Sequence, residues 1–184
     1  MKRILAYTHT AITLHWLMAV LVFVTFPVGL VMHEMALSPN KLRMLSYHKW
    51  LGVTVFILVM IRLVWRATHQ PAPLLIEMPQ WQKLAAKAVH VLLYVLLFAI
   101  PISGWLMSSA KGFQTVYLGV MPLPDLLPKD KVLGDALAAL HEVLNVTLLL
   151  LVVSHIVAAL KHQFYDRDAT LARMIPLLNR NDSK

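Results

Sequence analysis

Four stretches of this sequence, at approximately 11–33, 47–66, 86–108 and 137–160, are apolar, carry few charges and are long enough to cross a bilayer. A hydrocarbon core is roughly 30 Å thick and takes about 20 helical residues to span. Inside lipid the backbone finds no water, so each stretch must close its hydrogen bonds within itself as a helix. The composition agrees, with 59% hydrophobic and 14% charged residues, against about half and a quarter in soluble domains. The expected fold is an all-α membrane protein, a single domain over 1–184, built as a four-transmembrane-helix up-and-down bundle. Little chain remains for anything else, so function belongs in the bundle or on its rims.

Met1-Lys2-Arg3 precedes the first apolar run in the manner of a signal peptide. That run is too long, contains His15, and is not followed by a small-x-small cleavage site, so a retained helix is expected. Basic residues set the orientation. With the N-terminus cytoplasmic, the inside segments hold Lys2, Arg3, Arg62, Arg66, Lys83, Lys87, Lys161, Arg167, Arg173, Arg180 and Lys184, and the outside segments hold Lys41, Arg43, Lys49, Lys111, Lys129 and Lys131. Eleven against six predicts both termini on the cytoplasmic side of the membrane. The net charge of +8 is spread over loops without a reading motif, which argues against nucleic acid. The absence of cysteine excludes disulfides, thiolate metal sites, iron–sulfur clusters and covalently attached haem.

The connection "ATHQPAPLLIEMPQWQ" is a proline-rich break between the second and third spans. The outer loop at 109–135 is the longest non-spanning piece, and its apolar content predicts a short helix lying on the outer surface. Pro27 and Pro101 fall inside spans, where neighbouring helices resatisfy the freed carbonyls.

The chemistry resides in the histidines. Of nine, five (His15, His48, His90, His141 and His155) lie in or just inside the spans, where an unpaired imidazole is costly. His141 and His155 are fourteen residues apart, which is about 21 Å along a helix and an angular offset of only some 40°. Both therefore face the bundle, at two depths. One metal ion cannot use both; two cofactors stacked across the bilayer can. On the second span His48 lies level with His141. On the first, His15 lies level with His155, with His90 of the third span a rival at that depth. Imidazoles facing one another without thiolate point to bis-histidine haem b. His9, His33 and His69 read as solvated or interfacial, and His162 continues the face of His155 one heptad on, at the inner rim.

The fourteen-residue spacing recurs. Gly29 follows His15, and Gly104 follows His90, by that interval, placing missing side chains at the outer cofactor's depth, where a flat macrocycle needs close backbone approach; Gly52, one turn after His48, suits the same purpose. Tight helix packing is the alternative for all three. Arg62 lies fourteen past His48, level with the inner cofactor, as a bidentate partner for a haem propionate or as an interface anchor.

The segments "LHW", "YHKWLGVTVFILVMIRLVWR", "HVLLYVLLFAIPISGW" and "LHEVLN…SHIVAALKHQF…LARMIP" together resemble the bacterial cytochrome b561 family, which is similar to the haem b subunits of formate dehydrogenase and nickel–iron hydrogenase. The resemblance covers nearly the whole chain. It implies four helices enclosing two b haems, with His15 and His155 on the inner haem, His48 and His141 on the outer, and His90 not an axial ligand. It also implies electron transfer from a periplasmic one-electron donor to membrane quinone (ubiquinone or menaquinone), as in a superoxide oxidase. His90, His162 and Arg62 would then border an inner quinone site. Six outer basic residues would either steer superoxide inward or anchor lipid headgroups. A haem subunit docking a separate periplasmic redox partner through the long outer loop is the alternative, and an oligomer is compatible with either.

Overall fold

In the computed structural model, residues 7–69, 79–168 and 170–178 are described. Four helices dominate them: α1 His9–Glu34, α2 Pro39–Thr68, α3 Gln80–Ala110 and α4 Lys131–Phe164. Each has the length and hydropathy of a membrane span. All four are longer than the apolar stretches, because their polar ends continue as helix beyond the hydrocarbon. Side-chain caps define three of the starts. Thr8 Oγ1 accepts from the Ala11 amide at 3.2 Å, Ser38 Oγ from Lys41 at 3.2 Å with Pro39 at the first helical position, and Asp130 Oδ1 from Leu133 at 3.0 Å. Each satisfies an amide that the first turn leaves without an intrahelical acceptor. Pro27 and Pro101 sit within α1 and α3, which run on through them. The proline-rich connection after α2 lies largely outside the described residues.

Cross-helix contacts give the direction of each neighbour. The start of α1 meets the end of α2 where Trp65 Nε1 donates to Thr8 Oγ1 at 3.0 Å. Phe56 and Phe98 pack with ring centroids 5.2 Å apart, and Arg62, six residues further along α2, bonds Tyr94, four residues earlier on α3. His90 meets His155 while Gly104 meets His141. Every successive pair is therefore antiparallel, and the bundle is up-and-down. One end holds the start of α1 and the end of α4, and is called here the terminal end; the other is the loop end.

The tightest packing lies midway along the bundle. Met18, Val55 and Val59 form its buried core, with Leu21, Leu58, Leu63 and Leu97 against them. Leu148 on α4, seven residues from both His141 and His155, is also buried. The long loop differs from the expected surface helix. It forms a small hairpin, β1 Val116–Tyr117 and β2 Met121–Pro122, antiparallel with Tyr117 opposite Met121. Leu118 and Gly119 both adopt positive φ, 53° and 75°, the backbone of a tight primed turn whose twist matches a hairpin. Donors from the helices hold the loop down. Lys49 Nζ donates to the Phe113 carbonyl at 2.6 Å, Trp50 Nε1 to Val116 at 2.7 Å and Trp105 Nε1 to Pro124 at 3.0 Å. These bonds consume carbonyls in a loop geometry that a helix would have satisfied internally, which is why the apolar content alone misleads here.

Candidate functional site

Imidazoles meet in pairs at two levels of the bundle. His48 of α2 and His141 of α4 have ring centroids 6.3 Å apart, with planes at 83°. His15 of α1 and His155 of α4 are also 6.3 Å apart, at 70°. Two imidazoles bound from opposite sides to one metal, each at about 2 Å, place their centroids about 6 Å apart. Both pairs match that spacing. His90 approaches His155 to 5.4 Å edge-on, which is ordinary ring contact and shorter than the spacing of two imidazoles opposed across one metal. His155 thus sits between His15 and His90, and the level near the terminal end carries three imidazoles.

Polar partners distinguish the two rings at the loop end. His141 Nδ1 lies 2.9 Å from Ser103 Oγ. His48 Nδ1 is buried and has no hydrogen-bond partner among the described residues. Glycines bring the neighbouring backbones close. A Cβ on Gly29 would lie 3.0 Å from His48 Cε1, and one on Gly104 would lie 3.1 Å from His141 Cε1. The group that each admits is the imidazole itself. Gly52 differs: a Cβ there would meet no atom within 4 Å, so nothing in the protein requires its bareness.

At the other level Arg62 is half-buried and bridges three helices. Its Nε donates to Tyr94 Oη at 2.8 Å and its Nη1 to the Ala11 carbonyl at 3.2 Å. Arg66 also lies over the Tyr94 ring, 5.8 Å from its centroid. Two guanidinium groups around one phenol make a cationic corner beside His15, His90 and His155. Tyr94 and Arg66 carry no signal in the sequence, since a tyrosine and an arginine near a membrane surface are ordinary anchors.

His162 lies just past this level and is tied to carboxylates. Its Nδ1 is 2.9 Å from both Asp166 Oδ2 and Asp168 Oδ2, and Lys161 shares Asp166 at 2.6 Å. Trp16, beside His15, donates to the Met174 carbonyl at 3.0 Å, which draws the segment after α4 against α1. His33 and His69 are exposed, the first beside Glu34 and the second stacked on Trp65; His9 is exposed as well. At the loop end Lys41 Nζ bonds the Met35 carbonyl and Lys111 pairs with Asp135 at 3.1 Å, so several of the basic residues expected there also hold structure together.

The residues present suit haem. The donors are imidazoles at the spacing of opposed ligands, with a buried Nδ1 lacking a partner and glycines opposite both rings of one pair. Comparison with known proteins decides the lineage. The sequence pattern described as prokaryotic cytochrome b561 matches residues 6–177. The chain is 36% identical over 162 residues to cytochrome b561 homolog 2 of Escherichia coli (strain K12), covering 88% of this chain and 86% of that protein. It is 27% identical over 179 residues to cytochrome b561 homolog 1 of the same organism, covering 92% and 97%. A probable superoxide oxidase of Yersinia pestis is 27% identical over 172 residues, 92% and 96% of the two chains.

The chain belongs to the prokaryotic cytochrome b561 family. Membership makes it a multi-pass membrane protein of haem b electron transfer, in agreement with the resemblance read from the histidine-bearing segments.

Proposed function

We propose that this cytochrome b561 holds two b haems, one ligated by His48 and His141 near the outer surface and one by His15 and His155 near the inner surface. Both termini would be cytoplasmic, in the bacterial inner membrane. It would carry electrons from a periplasmic one-electron donor, superoxide in our reading, to ubiquinone or menaquinone near the inner haem. The observation that carries this reading is the equal 6.3 Å separation of two histidine pairs drawn from three helices. Bound haem supplies reversible one-electron exchange at iron.

The protein's own groups have distinct tasks. The four histidines hold the metal from both sides. Met18, Val55 and Val59 keep water from the interior between the two levels. Arg62, backed by Tyr94, offers a charged donor to a propionate at the inner level. His162, held by Asp166 and Asp168, stands where a proton must pass from the cytoplasm to a reduced quinone, with His90 nearer the haem. The relationship to a probable superoxide oxidase supports the choice of donor.

The alternative, a haem subunit serving a separate periplasmic redox partner, draws support from the hairpin, whose Leu118, Val120 and Met121 are exposed. The purified chain given superoxide and a short-chain quinone separates the two. Quinone reduction without another protein is the outcome expected from the first reading; reduced haem never formed with superoxide, but formed with periplasmic extract, supports the second.

A further inference from the structure

Ser103 on α3 is buried, 4% exposed, and its hydroxyl makes two contacts. Its Oγ is 2.8 Å from the Ile100 carbonyl and 2.9 Å from His141 Nδ1. A hydroxyl has one proton to give, and a carbonyl can only accept. Ser103 therefore donates to Ile100 and accepts from His141, so Nδ1 carries the ring proton and Nε2 keeps the free lone pair. Gly104, the next residue, lets the same ring approach the α3 backbone. Two adjacent residues thus admit the imidazole and fix its tautomer and plane. The facing ring has no such hydroxyl: among the described residues His48 Nδ1 makes no side-chain hydrogen bond, and the backbone near that ring is Thr25.

We propose that Ser103 is a positioning residue that orients His141 and lowers the reduction potential of the outer haem. The inference rests on the reading that His141 ligates that haem. An acceptor at Nδ1–H makes an imidazole a stronger base toward its metal and favours the oxidised ion. Removing the hydroxyl would weaken that effect on one haem only.

The test is a potentiometric titration of the haem bands in purified wild type, Ser103→Ala, Ser103→Thr and His141→Ala. His141→Ala identifies the outer component as the one it loses. An upward shift of that component in Ser103→Ala, with the inner component unmoved and the wild-type value regained in Ser103→Thr, is the result expected. Loss of outer haem from Ser103→Ala but not Ser103→Thr supports the same role. Unshifted potentials in Ser103→Ala, or equal shifts or losses in both variants, overturn it and leave only packing. Retention of both haems by His141→Ala would sink the underlying ligation instead.

Discussion

Glycine and arginine positions carry the sharpest tests at the scale of single residues. A valine at Gly104 would press its side chain into the His141 ring, since even a Cβ would come within 3.1 Å of Cε1, and interiors this close cannot absorb added volume without displacement. Gly104→Val is expected to lose the outer haem and keep the inner one, seen as half the alpha-band amplitude in a reduced-minus-oxidised spectrum. Gly52→Ala, whose Cβ would meet no neighbouring side chain or helix within 4 Å, tests the haem-packing role: a shifted outer-haem spectrum or potential supports it, and an unchanged one removes it. For Arg62→Gln the inner haem should bind more weakly, by about 1.5–3 kcal/mol for a lost charged hydrogen bond, with its potential lowered by loss of the positive charge. Haem retention on dilution, and the same titration, check both. The meeting of histidines in pairs at two levels was legible in the sequence because two of them share one helix, where spacing converts directly to depth and facing. Ser103 and Tyr94 were not, because their importance arises from which side chain of another helix lies opposite, and a one-dimensional pattern contains no such pairing.

Among the elements, the four helices follow from apolar length, and their starts from Thr8, Ser38 and Asp130. The hairpin does not. Its strands are two residues each, too short for an alternating pattern, and its turn uses Leu118 at a positive φ that leucine seldom adopts. Its shape comes from Lys49, Trp50 and Trp105 reaching its carbonyls. Gly119→Val, forced to φ 75°, should cost about 1–2 kcal/mol of loop stability, read as faster proteolysis between 113 and 124 while haem content stays constant. Within the bundle, Met18→Ala removes one of the core side chains between the two histidine levels. The expected loss is about 2–5 kcal/mol, measured as a lower temperature of haem release for both haems together.

For the whole molecule, four antiparallel helices set His141 of α4 facing His48 at one level and His155 facing His15 and His90 at the other, on opposite sides of a packed apolar centre. Charge at the loop end belongs to the same scale. Lys49 and Lys111 are engaged in holding the loop, yet a bonded ammonium still contributes to the field over that face. Haem reduction by superoxide should therefore slow as salt shortens the Debye length from about 10 Å at 0.1 M; a rate independent of ionic strength would reduce these residues to anchors. The measurement that addresses the central claim most directly is the haem-to-protein ratio of the purified chain and of its four single His→Ala variants. Two haems in the wild type, falling to one for His48 and His141 with the inner spectrum kept, and to one for His15 and His155 with the outer spectrum kept, is the predicted outcome. A single haem in the wild type, or both haems surviving the loss of any of the four, would contradict it.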